Sequence, residues 1–348
     1  MTKPATPDTS QHRRARGTHD AAPALIGVDW GSSRLRAYLL TADGRVLETL
    51  TRDVGILGTP VARQREVLSR ALAPWLRRHP AMPIVAAGMI GSSSGMVETS
   101  PVAAPADAAK VAAGVSHTAL ADGTDVVVLP GLVDRHGDHD DLLRGEEAQI
   151  LGWLASPDAV PEAVLVLPGT HSKWVRIAAG TIRGFHTFPT GELFATLRET
   201  PSLKSAREAR GGQAASKTPG DATPGRRPAV NAAAFRDAVT RGLASPGLSH
   251  DLFGLRVTAL ARGAGHAATP PAAPFPLDDA LSGLLLGHEI HEATGRGLLA
   301  ERLPVVVVGD LPLSERYRTA LEVASLEATV ADAERCVARG IATVHALA

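Results

Sequence analysis

One cysteine in 348 residues, Cys336, excludes an intramolecular disulfide and a cysteine-built zinc centre, and it fits a reducing, cytoplasmic setting. Aromatic residues make up only 3%, too few for a platform that stacks single-stranded nucleic acid. Neither sign of charge is in excess: 36 Lys+Arg balance 36 Asp+Glu, so no basic field holds nucleic acid or an anionic membrane surface. No apolar run of about 18 residues is long enough to cross a bilayer, and residues 1–22 lack the apolar stretch of a secretion signal. With Arg13, Arg14 and Arg16 scattered among Pro, Thr and Asp, those first residues read as a disordered tail. What is abundant is small and aliphatic: the 44% hydrophobic fraction is mostly Ala, Val, Leu and Ile, which suits the inner strands and helices of an α/β protein of about two domains.

The ordered chain opens with the apolar run Ala24–Val28, which ends in Asp29-Trp30-Gly31-Ser32-Ser33. A second strand is predicted over Arg34–Leu40, a turn at Thr41–Gly44 and a third strand over Arg45–Leu50. Residues 62–78 read as a helix, 83–87 as a strand, Gly88–Gly95 as a glycine-rich loop, and Val126–Leu129 as a buried strand. A helix is expected over Leu142–Leu154. The opening pattern then returns: Val164–Leu167, Pro168-Gly169-Thr170-His171-Ser172-Lys173, a strand and a glycine turn at Gly180. Aligning Gly169 with Gly31 sets Thr170 against Ser32 and Leu167 against Asp29, and brings Gly180 to the Gly44 turn. Two such units suggest duplicated domains whose turns could grip one ligand. Short Gly/Ser/Thr turns offer amide N–H groups and hydroxyls to phosphate oxygens, and Asp29 alone adds a carboxylate able to hold magnesium.

Lys204–Val230 lacks periodicity and reads as a flexible insertion. His136–Asp141 contains metal-ligand types without helical or strand spacing to aim them, and is expected to be a solvated loop. Leu281, Leu284, Leu285 and His288 fall at helical spacing with Asp278 or Asp279 as N-cap, His288 being read as a packing residue. Val305–Val308 followed by Gly309-Asp310 reads as strand and glycine loop, a third place for a nucleotide.

These elements resemble the two phosphate motifs and the adenosine motif of the sugar-kinase, heat-shock-chaperone and actin superfamily. Ala87–Ser92, Arg144-Gly145-Glu146-Glu147, Gly169–Trp174, Thr190-Gly191-Glu192-Leu193, Leu281–Leu285 and Glu315-Arg316-Tyr317 are similar, in order, to the blocks of the 2-dehydro-3-deoxygalactonokinase family. The resemblance implies two actin-like (ribonuclease H-like) domains with mixed five-stranded sheets and helices, covering 23–141 and 142–348, with ATP and sugar acid in the cleft. It implies transfer of the γ-phosphoryl of ATP to the 6-hydroxyl of 2-dehydro-3-deoxy-D-galactonate. The insertion and the tail depart from the family pattern without touching a motif.

Residue by residue, the resemblance implies Asp29 as the organiser of magnesium and phosphate. Gly31, Ser32, Ser33, Gly169, Thr170, His171, Lys173 and Gly309 are implied to hold ATP. Gly145-Glu146-Glu147 stands where related sugar kinases carry Gly-Asp-Gln, which favours Glu146 over Glu147 as general base, either spacing being able to serve. A substrate with a carboxylate and a keto group needs cations and hydroxyl partners; Arg36, Arg144, Gly91, Ser92, Ser93, Glu147, Thr190 and Glu192 are the candidates. A homo-oligomer is left open. The rival readings are a kinase of another sugar acid or sugar on the same fold, and a non-catalytic sugar- or nucleotide-binding protein.

Overall fold

The computed structural model describes residues 12–14, 22–135, 140–208, 231–263 and 275–348. Its first elements are β1 (His12–Arg14), β2 (Leu25–Trp30), β3 (Leu35–Leu40), β4 (Val46–Arg52), α1 (Val61–Arg78), β5 (Ile84–Gly88), β6 (Val102–Ala103), α2 (Ala108–Ala113), β7 (Ser116–Ala119), β8 (Asp125–Val128), β9 (Leu132–Arg135), β10 (Asp140–Leu143) and α3 (Glu146–Leu154). There follow β11 (Glu162–Leu167), β12 (Ser172–Ala178), β13 (Thr181–Phe188), α4 (Thr190–Glu199), α5 (Pro201–Glu208), α6 (Ala232–Ala244), α7 (Leu248–Gly263), α8 (Leu277–Gly295), β14 (Val305–Gly309), α9 (Leu311–Val323), β15 (Ala328–Asp332) and α10 (Ala333–His345).

The strands form a seven-stranded sheet in the order β1-β4-β3-β2-β5-β8-β7, a three-stranded sheet β10-β9-β6 and a five-stranded sheet β13-β12-β11-β14-β15. The first is mixed: β2, β5 and β8 run parallel, and the other pairings are antiparallel. The expected five-stranded plan is thus extended there by β1 and β7. His12–Arg14, assigned from sequence to a disordered tail, pairs with Glu48–Leu50 and supplies the ladder that an edge strand leaves open; the rest of 1–21 lies outside the described residues.

Two compact units divide the chain: up to Leu165 with Val175–Phe185 and Ala331–Ala348, and Val166–Trp174 with His186–Val330. This grouping differs from a division at 141/142. In the first unit β2 is buried along nearly its whole length, and Leu68, Leu72 and Trp75, one face of α1, join Ile26, Val28 and Trp30 in its core. Helices α3 and α10 belong to the same unit because their backbones touch: a Cβ on Gly152 would overlap the carbonyl of Cys336, and one on Gly340 that of Ala148. The second unit has a helical core of Leu255 and Ala259 from α7 with Leu281, Leu284 and Leu285 from α8.

Three further expectations are corrected. The helix predicted from Leu142 starts at Glu146, since Asp140–Leu143 pairs with Leu132–Arg135 and Gly145 at φ +104° breaks the chain direction. Lys204–Glu208 is helical within α5, while 209–230 lies outside the described residues, as does 136–139. Asp278 and Asp279 sit in the first turn of α8 rather than at its N-cap, which is Pro276. No helix among the described residues is long and apolar enough to cross a membrane.

Candidate active site

In the first unit the polar groups gather at the carboxyl end of β2, where ligands of open α/β sheets are held. Asp29 is the one residue of β2 left partly exposed, and Arg36, its register partner on β3, places Nη1 3.6 Å from Asp29 Oδ2. Arg36, expected as a substrate contact, is therefore engaged with the carboxylate. The turn that follows closes with a hydrogen bond from Gly31 N–H to Arg34 O (2.9 Å). Its carbonyls are pinned from behind, Gly31 O by the amide of Ile56 (3.0 Å) and Ser32 O by that of Leu57 (3.2 Å). What the turn presents outward is the exposed pair Ser32 and Ser33.

The start of α3 is brought beside Asp29 by two glycines with positive φ. A Cβ on Gly88 would lie 3.4 Å from Asp29 Oδ1, and one on Gly145 3.0 Å from Gly88 Cα, so neither position tolerates a side chain. The two glutamates that follow differ sharply. Glu146 is partly exposed and its Oε2 accepts the Arg144 amide N–H (2.9 Å). Glu147, expected as a substrate contact, has no exposed surface: its Oε2 accepts the Gly145 N–H (2.6 Å) and its Oε1 has no hydrogen-bond partner. Burial, reinforced by the charge of Glu146, lifts the Glu147 carboxyl to about 7. A buried, half-satisfied carboxyl can hold a proton beside Glu146 but cannot touch a ligand.

Arg144 is likewise turned inward. Its Nη1 donates to Gly91 O (2.6 Å), Pro130 O (3.0 Å) and the Thr99 hydroxyl, and its Nη2 to Thr99 O (3.3 Å). It clamps the loop after β5 to the end of β8 instead of offering a free cation. Gly91 is buried against that guanidinium, which would meet its Cβ at 3.0 Å, so Gly91 makes room for Arg144 rather than meeting a substrate. Ser92 donates to Met89 O (2.7 Å) and stays partly exposed; Ser93 is exposed.

The second unit repeats the turn. Gly169, Thr170 and His171 join β11 to β12, and the Glu192 amide at the start of α4 pins Thr170 O (2.9 Å). Gly191 fits against Gly169 so tightly that a Cβ would overlap its carbonyl. Thr170 and His171 are exposed, and His171 Nε2 meets Glu192 Oε2 at 2.7 Å. Lys173 is buried, with Nζ 3.3 Å from His171 O. Gly309 closes β14 against the turn: its Cβ would lie 3.2 Å from Pro168 Cδ. Thr190, expected as a substrate contact, is buried beside Glu289 on α8. Sequence reasoning passed over Glu289, although a carboxylate one turn after Leu285 on an apolar helix face was a readable signal. His288 is paired with Asp251 (2.9 Å) beneath the surface, a packing residue as read.

A family model described as 2-keto-3-deoxy-galactonokinase matches residues 29–344. The chain is 36% identical to the probable 2-dehydro-3-deoxygalactonokinase of Rhizobium meliloti (strain 1021), over 90% of this chain and 94% of that one. It is 30% identical to the 2-dehydro-3-deoxygalactonokinase of Escherichia coli (strain K12), over 93% and 98%. A crystal structure of a Sinorhizobium meliloti protein given the same probable designation superposes with a TM-score of 0.74 at 33% identity, covering 92% of this chain and 95% of that one.

Proposed function

The chain belongs to the 2-keto-3-deoxy-galactonokinase family, and on that premise we propose that it transfers the γ-phosphoryl of ATP to the 6-hydroxyl of 2-dehydro-3-deoxy-D-galactonate. The observation that supports this reading is the close approach at Gly88 of the Asp29 carboxylate and of Gly145, the glycine that precedes Glu146.

Phosphoryl transfer asks a protein mainly for positioning and charge stabilisation. The turn Gly31–Ser33 offers amides and hydroxyls to phosphate oxygens, as do Gly169, Thr170 and His171, with Lys173 behind them and Gly309 at the adenosine side. The Asp29 carboxylate would hold magnesium, a hard cation that takes oxygen ligands. When bound, that ion shields the charge of the transferring phosphate. Glu146 takes the proton of the acceptor hydroxyl as its oxygen bonds phosphorus, while the bond to the bridging oxygen breaks and the electron pair leaves with ADP. Arg36 holds the Asp29 carboxylate in place. The exposed Ser93 and the partly exposed Ser92 are the polar groups of the first unit that remain for the sugar acid, whereas Arg144, Gly91 and Glu147 support them from beneath. An actin-like fold and a cytoplasmic location accompany this reading.

The test is ADP release with magnesium-ATP and a panel of 2-dehydro-3-deoxygalactonate, its gluconate epimer, galactose and no acceptor. Turnover that depends on the galactonate compound, with a product whose phosphorus couples to C6, is expected. Preference for another acceptor contradicts the substrate, and acceptor-independent release contradicts the transferase reading.

A further inference from the structure

Glu289 is 3% exposed on α8, on a face otherwise made of Leu281, Leu285 and Ala293. A carboxylate there is costly unless fully hydrogen-bonded, and an apolar residue would fill the space without that cost. It is instead surrounded by donors. Trp174 Nε1 donates to Oε1 (2.7 Å) and Tyr317 Oη to Oε2 (2.9 Å), and the side chains of Thr190 and of Ser172, whose hydroxyl donates to Phe188 O (3.2 Å), lie beside the carboxylate. Burial pushes its carboxyl up and these four polar side chains pull it down.

The origin of the donors is informative. Ser172 and Trp174 flank Lys173 at the start of β12; Thr190 opens α4, whose Glu192 amide pins the Thr170 carbonyl; Tyr317 lies on α9, which begins two residues after Gly309. The strand after the Gly169–Lys173 turn, the helix whose amide pins that turn and the helix after Gly309 thus meet at one carboxylate. A satisfied buried network fixes a single arrangement where an apolar contact would permit sliding.

We propose that Glu289 is a positioning residue for the nucleotide, its carboxylate holding the Gly169–Lys173 turn, the first turn of α4 and helix α9 in one arrangement. This rests on the assignment of those segments to ATP.

The test is calorimetric ADP binding with steady-state kinetics for Glu289→Gln and Tyr317→Phe. Glu289→Gln should weaken ADP and raise the KM for ATP by about tenfold, the size of one charge-assisted hydrogen bond, with the sugar-acid KM within about twofold. Tyr317→Phe, which removes one oxygen and keeps the ring, should weaken ADP by roughly threefold and decides the matter if Glu289→Gln fails to fold. Wild-type ADP affinity in the folded variants, or nucleotide and sugar-acid constants rising together, overturns the proposal. A wild-type chain that binds ADP but phosphorylates no sugar acid contradicts the kinase reading alone, since the ADP affinities still decide the role of Glu289.

Discussion

The turn after β2 and the turn after β11 are built by the same backbone device. In each, an apolar strand ends in a Gly-Ser/Thr turn whose carbonyl is held from behind by an amide of a later segment: Ile56 and Leu57 in the first, Glu192 in the second. In each, a glycine in that later segment, Gly55 or Gly191, lets backbone meet backbone where a Cβ would overlap a carbonyl. The chemistry is not repeated. Asp29 keeps its carboxylate 20% exposed at the end of β2, while Leu167, its counterpart, is buried at 2%. The second turn has its carboxylate beneath it, in Glu289, where it meets protein donors instead of a ligand. In the proposed function this duplicated scaffold separates two tasks, the first turn organising the reacting phosphate and the second holding the nucleotide.

The comparison can be broken most severely at the first turn. Asp29→Ala and Glu146→Gln should each lower turnover by on the order of a thousandfold or more while far-ultraviolet circular dichroism is unchanged, because both side chains lie at the surface of the fold. Near wild-type ADP release in either variant removes that role. The shared device is tested next by parallel substitution: Gly55→Ala and Gly191→Ala should each displace a turn and raise the KM for ATP by about ten- to a hundredfold, read against the melting temperature of each variant.

Glu147 sharpens the contrast through pH. Its carboxyl is raised from 4.5 to about 7, so between those values the folded chain holds a proton that the unfolded chain has lost. Its contribution to stability is therefore full below pH 4.5 and is lost as pH rises through about 7, by on the order of 3 kcal/mol. Glu147→Gln should remove that decline, as urea unfolding from pH 5 to pH 8 would show. The smallest effect is expected at the exposed pair His171 and Glu192, where Glu192→Ala should change unfolding free energy by less than about 1 kcal/mol.

Much of this plan is legible in the chain because motif and fold coincide there. Gly31 and Gly169 follow short apolar runs that read directly as buried strands, and Gly44 and Gly180, read from sequence as equivalent turns, both take positive φ in their hairpins. The pinning of the turns was not legible, since Ile56, Leu57 and Glu192 act through backbone amides that any residue carries. Arg144 and Glu147 illustrate a second limit: a charged side chain next to a motif reads as a ligand contact until burial shows it turned toward Gly91 and Pro130, or sealed beneath α3. The place of α10 in the first unit was hidden too, because it depends on Gly152 and Gly340 meeting Cys336 and Ala148 across nearly two hundred residues.

The division of labour between the turns is tested most directly by measuring, in Asp29→Ala, the single-turnover rate of phosphoryl transfer beside the metal-free affinity for ADP. The account predicts a rate reduced by about a thousandfold with ADP affinity unchanged. A variant that transfers phosphate at the wild-type rate, or that loses ADP binding in proportion to its rate, would contradict it.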